Sequence, residues 1–284
     1  VEKVASNRRL VGDDGKVWGT RWTATSDPKL RAEPEGVIDP MMKSITFWNG
    51  DHAIATLTYY ATHPQSFYRT GNVSADFPGL ARNQREEVTE TPHIHFNGAG
   101  GNIGAGKWND GSKANRKVLA DKVAAGMKAA WQSVKRTPIA AGDVAWDVES
   151  VRLPIAPHLD EAALQQQLQA KETGPAARYN AAKLLSWLRR KQPGGQPIDI
   201  ACLKIDNARI LHLPGELFVE YQLAAQQMAP QAFVAMAAYG DYSPGYIGTG
   251  VAYGQGGYET SQRASNVAPE VEGVLMDALK KLLK

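Results

Sequence analysis

Cysteine is almost missing from this sequence. Cys202 stands alone, so no disulfide can form within the chain. It lies in IDIACLKI, an apolar strand-like run, where a buried inert thiol is expected rather than a nucleophile. Long apolar runs are missing too, and nothing approaches the ~20 residues that a membrane helix needs. Charge of one sign is scarce: the formal net charge is +3, which offers no footprint for nucleic acid or an anionic membrane. The two short basic clusters, Arg8-Arg9 and Arg189-Arg190-Lys191, read as solvated faces. There is no internal repeat and no low-complexity tail. Neither an initiating Met nor a signal-like segment opens the sequence, so a processed or trimmed chain is expected, located outside the cytoplasm.

What is present is an ordinary globular balance. Of 284 residues, 43% are hydrophobic and 21% charged, enough to bury a sizeable core. The stretch from His52 to Lys107 concentrates the chemistry. KSITFWN (43–49) and HAIATLTYYAT (52–62) flank Gly50-Asp51, which predicts a β-hairpin. A helix is expected near Phe77–Val88 with Asp76 as its N-cap. HIHF (93–96) alternates, so His93 and His95 share a strand face, as a metal pair or as structural histidines. The run then opens into NGAGGNIGAGK. Its last part matches the start of a phosphate-binding loop, but Trp108 replaces Ser or Thr and NDGS follows instead of a helix. A glycine-rich loop presenting backbone N–H groups to an oxyanion is the better reading.

Elsewhere the pattern is regular. Residues 1–40 read as loops and turns, with Trp18 and Trp22 either lining a groove or packing locally. A helix is predicted over 112–136 and a strand over 143–155. Two helices split by Gly174-Pro175 form a hairpin at about 158–197 that looks like an insertion, because strand pattern resumes at once. IDIACLKI and ARILHLP predict a second β-hairpin across Asp206-Asn207. Glu216 falls where a strand turns into a helix, as a first-turn acid or as a ligand at a strand end. AFVAMAAYG reads as a buried strand, and an amphipathic helix closes the chain. Between them lies DYSPGYIGTGVAYGQGGYE, with tyrosines 242, 246, 253 and 258, suited to a sugar-binding surface or an active-site wall.

ATHP, SADFPG, FNGAGGNIG, LPGELFVE and GYIGT…GGYE occur in that order. This set resembles the neutral/alkaline non-lysosomal ceramidase family, over roughly Asn7 to Asn266. The resemblance implies one α/β domain spanning 1–284, a mixed β-sheet flanked by helices. It also implies a Zn²⁺ ion, with ligands carried over to His63, Glu216 and Tyr246, a donor set acceptable to zinc. The family's first zinc histidine has no counterpart, because Asn7-Arg8-Arg9 stands almost at the start. A separate N-terminal segment, or His93 or His95, is expected to complete the site. The family's aspartate and serine in the glycine loop are Asn102 and Gly104 here, so no serine nucleophile carries over and ceramide itself is not the expected substrate. The implied activity is cleavage of a small or lipid-like amide by metal-activated water, within lipid metabolism. Asp76, Asn97, Gly101 and Asn102 are its candidate catalytic residues. The competing expectation is a carbohydrate-binding surface that uses Tyr242, Tyr253 and exposed tryptophans.

Overall fold

A computed structural model describes residues 1–68, 71–191, 195–240 and 244–284. The segment expected to be loops is more ordered than its turn residues suggest. It holds β1 (Ser6–Asn7), β2 (Arg9–Val11), β3 (Val17–Thr20) and a short α1 (Pro28–Ala32). GDDGK closes the β2–β3 hairpin, with the Gly12 N–H donating to the Lys16 carbonyl.

Two sheets carry the rest. β4 (Lys43–Asn49), β5 (His52–Tyr60) and β6 (His93–Asn97) form a three-stranded sheet in that order. β4 and β5 are the expected hairpin, pairing Asn49 with His52 across Gly50-Asp51, where Gly50 takes φ +57°. β5 and β6 run parallel, joined through α2 (Asp76–Thr89). After β7 (Ile103–Gly104), which pairs with β1, comes α3 (Lys113–Gln132). Ser112 caps α3 by accepting from the Asn115 N–H. The apolar stripe of α3 (Leu119, Val123, Met127) meets Phe77 and Ala81 of α2 and Tyr60 of β5 in one core.

The second sheet begins with β8 (Val144–Val151). The paired helices α4 (Glu161–Gln169) and α5 (Pro175–Lys191) follow, with Leu164, Ala181, Leu185 and Leu188 buried between them. β9 (Ile198–Ile205) and β10 (Ala208–Pro214) form the second expected hairpin. β11 (Glu216–Leu217), α6 (Val219–Met228) and β12 (Phe233–Gly240) complete a crossover, since β10 and β12 pair in parallel. β13 (Tyr246–Ile247), α7 (Gly250–Gln255) and α8 (Val271–Leu282) finish the chain. The sheet order is β12-β10-β9-β8. Its core joins Cys202, Leu211 and Met236 to Phe218, Tyr221, Leu275 and Leu279. Each fully buried side chain of this size contributes about 1.5–3 kcal/mol of transfer free energy. Cys202 is fully buried, and burial lifts its thiol to about 11, so the expected inert thiol is found.

The architecture is therefore α/β, mixed sheets flanked by helices, built on two parallel strand–helix–strand units. In open sheets of this kind, ligands bind beyond the carboxyl ends of parallel strands. His63 follows β5, the glycine loop follows β6, Glu216 follows β10 and Tyr246 follows β12. Among the described residues, no helix is long and apolar enough to cross a membrane.

Candidate active site

His63, Glu216 and Tyr246 converge. The His63 Nε2 lies 3.0 Å from Glu216 Oε2 and 3.1 Å from Tyr246 Oη, across sequence separations of 153 and 183 residues. Strand pairing explains half of this, because β11 and β13 run parallel with Glu216 and Tyr246 as register partners. Gly215 allows the bend into β11. It takes φ +68°, and a β-carbon there would lie 2.6 Å from Pro244 Cγ and 2.7 Å from the Gly245 carbonyl oxygen.

The glycine loop supplies the other half. The carbonyl oxygens of Gly100 and Ile103 stand 2.7 and 2.8 Å from His63 Nδ1. Carbonyls only accept, so Nδ1 carries the proton, and in the neutral ring Nε2 is an acceptor facing the Arg8 and Tyr246 donors, with the Glu216 carboxylate beside it. Four of the loop amides have acceptors within the protein. Those of Gly98, Gly101 and Ile103 donate to the carbonyls of Tyr60, Leu217 and Gly100, and that of Ala99 donates to Gln222 Oε1. Those four amides are thereby engaged, and the loop fixes His63 and packs on Glu216.

The four candidate catalytic residues have other neighbourhoods, and none lines a cleft at the site. Asp76 accepts from the N–H and hydroxyl of Ser66 and from the Phe77 N–H, and faces Arg116 at 3.5 Å. It is the first residue of α2, not its N-cap, which is Ala75. Its carboxylate instead ties Ser66 to the helix start. Asn97 ends β6 opposite Tyr60. Gly101 packs on the Glu216 backbone. Asn102 caps α6 from outside: its Oδ1 accepts from the Val219 N–H and its Nδ2 donates to Glu220. His93 contacts Thr89 and Trp131, and His95 contacts Thr58, so neither histidine joins His63.

Arg8 and Arg9 overturn the expectation of a solvated basic face. Both are buried, paired at 3.4 and 3.2 Å with Glu259, whose exposure is 0%. Arg189 and Arg190 are exposed, as expected. Arg8 Nη1 reaches His63 Nε2 and Tyr246 Oη, each at 3.3 Å. Burial disfavours its cation, but Glu259, Tyr246 and Glu216 outweigh that and hold its pKa above the ordinary value. Burial raises the pKa of Tyr246; Arg8 opposes this and Glu216 adds to it, leaving a neutral phenol near pH 7. The Arg8–Glu259 pair left no mark in composition or periodicity, although Glu259 closes the GGYE motif.

Two clefts flank this point. The larger, about 1040 Å³, is lined by Arg8, His63, Gly104, Glu216 and Tyr246 beside Trp22, Phe67, Tyr68 and Tyr258. Trp22 meets Tyr258 edge-on at 5.4 Å, and Arg116 stacks over Phe67 at 3.8 Å. So Trp22 lines a groove, whereas Trp18 is exposed outside both clefts. Tyr253 is partly buried against the core and bonds Ser265; Tyr242 lies outside the described residues.

Among the described residues no three His, Cys, Asp or Glu side chains form a metal cluster. His63, Glu216 and the phenol of Tyr246 do bring one N and two O donors together. Separations of 3.0 and 3.1 Å suit ligands around one ion with bonds of about 2.0–2.2 Å. The pole already faces positive charge in Arg8. By donor type alone, one imidazole, one carboxylate and one phenol are a set that zinc accepts.

The fold belongs with that of ceramidases. The chain aligns over 99% of its length with the crystal structure of neutral ceramidase from Pseudomonas aeruginosa, at TM-score 0.62 and 16% identity. It aligns over its full length with a ceramidase complexed with C2, at TM-score 0.65 and 15% identity. It spans about half of each, 50% and 52%. No family model matches the sequence, and no curated protein matches it.

Proposed function

We propose that the chain is the site-bearing part of a zinc-dependent hydrolase that cleaves an N-acyl amide. The convergence of His63 Nε2, Glu216 Oε2 and Tyr246 Oη beyond the carboxyl ends of β5, β10 and β12 carries this reading. The ceramidase-like fold supports it.

In this reading the three side chains hold the ion, leaving a position for substrate, water or a further donor from outside these 284 residues. When bound, zinc supplies Lewis-acid polarisation of a carbonyl and acidification of water. The chain's own residues do the rest. His63 keeps its tautomer through the Gly100 and Ile103 carbonyls. Arg8, held by Glu259, offers N–H donors and a fixed positive charge where negative charge would develop on the substrate oxygen. Trp22, Phe67 and Tyr258 give an acyl chain an apolar wall. Gly104 has no side-chain nucleophile, so hydrolysis here proceeds without an acyl-enzyme at that position.

The test measures zinc content and hydrolysis of N-acyl substrates for wild type and Glu216→Gln. The carboxamide keeps the shape and removes the charge. Zinc retention after dialysis should fall at least ~10–100-fold, and turnover should fall with it. Unchanged activity in Glu216→Gln would remove the proposal.

A further inference from the structure

The site opens on a second side. A cleft of about 530 Å³ shares Glu216, Tyr246, Tyr258 and Arg263 with the larger one, and its far wall is Asn180, Lys183 and Leu184 of α5. A substrate can therefore cross the Glu216–Tyr246 pole with one part in each cleft. Trp22 and Phe67 line the larger cleft only, whereas Tyr258 lines both. The smaller cleft is lined largely by polar groups, and two cations from separate parts of the chain, Lys183 and Arg263, are among them, the latter shared with the larger cleft. Neither makes a hydrogen bond or ion pair with a described residue. Glu216 is the one carboxylate among the described lining residues, so two cations against it leave one unit of positive charge.

A buried hydroxyl without a partner points to the same place. Tyr239 lines this cleft, and its Oη is inaccessible and makes no hydrogen bond. Such groups are rare, because a buried donor left unpaired costs stability. Tyr239 also sits at φ +63°, uncommon for a bulky residue. Its N–H donates to the Gly215 carbonyl at 2.8 Å, and its ring stands edge-on to His63 with centroids 6.0 Å apart. Backbone strain of this kind persists where the surroundings over-determine it, typically at a ligand site.

We propose that the smaller cleft binds a carboxylate on the amine side of the substrate, making N-acyl amino acids the substrate class. Arg263 and Lys183 would pair with the carboxylate, Asn180 and Gln262 would supply hydrogen bonds, and the Tyr239 hydroxyl, covered in the free protein, would gain its missing partner as the ligand enters. The acyl chain would lie along Trp22, Phe67 and Tyr258. This rests on the hydrolase reading above. The step balances as simple hydrolysis: the amide C–N bond breaks, a C–O bond to water's oxygen forms, and water's proton goes to the leaving nitrogen.

Two matched pairs test it. Turnover is compared for N-dodecanoylglycine and N-dodecanoylglycinamide, which differ in one charge. Binding is compared by calorimetry for the corresponding dodecanesulfonyl compounds, whose sulfonamide is not cleaved as an amide. Zinc is supplied throughout to the full chain. The carboxylate member should be preferred on the order of tenfold or more in kcat/KM and in Kd, since a polar subsite rejects an analogue that leaves it unpaired. The preference should collapse toward one in Lys183→Gln/Arg263→Gln and shrink in Tyr239→Phe. Equal turnover and equal binding of each pair by wild type would overturn the subsite and leave the hydrolase reading standing. Selective binding lost in the double variant, with no hydrolysis, would keep the subsite and remove the hydrolase reading. Equal binding without hydrolysis would remove both.

Discussion

Gly101 packs directly on the backbone of Glu216. A β-carbon on Gly101 would lie 2.2 Å from the Glu216 carbonyl oxygen and 2.8 Å from that of Leu217. The loop after β6 and the strand after β10 meet there with no room for a side chain, and the Gly101 N–H donates to the Leu217 carbonyl at 2.7 Å. The same loop holds His63 through two carbonyls, so one glycine sets the spacing between two candidate ligands. Gly101→Ala should destabilise the fold by about 1–3 kcal/mol, as overpacking does, and weaken zinc binding. Urea unfolding and zinc titration check both; a neutral effect on each would mean that the backbone contact is dispensable.

Gly104 should behave oppositely. A β-carbon there meets only Arg8 Cγ and Cδ at 3.5 Å, an ordinary contact. Gly104→Ser should change stability by less than about 1 kcal/mol and should leave hydrolysis independent of the new hydroxyl. Rapid-quench and mass measurements on the variant should show no acyl-enzyme. A covalent adduct on Ser at 104 accompanied by a faster rate would contradict this.

Glu259 is the carboxylate that pairs with two buried cations, Arg8 and Arg9. Breaking a buried pair by removing one member leaves uncompensated charge, which costs about 3–5 kcal/mol. Glu259→Gln should lower Tm sharply and disorder Arg8. Glu259→Asp should recover part of the loss. A Glu259→Gln protein as stable as wild type in thermal unfolding would show that Arg8 and Arg9 find other partners.

His95 makes stability depend on pH. Burial, aided by Arg82, lowers its pKa from 6.5 to about 4. The unfolded chain therefore binds more protons at this residue between those two values, and stability rises with pH there. This contribution is complete above about pH 6.5 and fades as pH falls toward about 4. His95→Gln should flatten that part of a Tm-against-pH curve. A variant curve parallel to wild type across the window would assign the dependence to other groups.

Local pattern was legible because it is a property of neighbours in the chain. Alternation set β4, β5, β9 and β10, turn residues set both hairpins, and the 3.6-residue period set α3 and α8. The ordered motifs also singled out His63, Glu216 and Tyr246, through their resemblance to the ceramidase family and not through any local pattern. Three other facts belong to the tertiary structure. Asp76 reads as a helix cap or a catalytic acid until Ser66 and Arg116 are seen to occupy it. Arg8-Arg9 reads as a wet surface until Glu259, 250 residues away, is buried against it. Tyr239 looks like one more strand residue until its hydroxyl is left without a partner beside Glu216. Charge pairing and hydrogen-bond satisfaction depend on which distant groups share a dry space, and only the packed fold decides that.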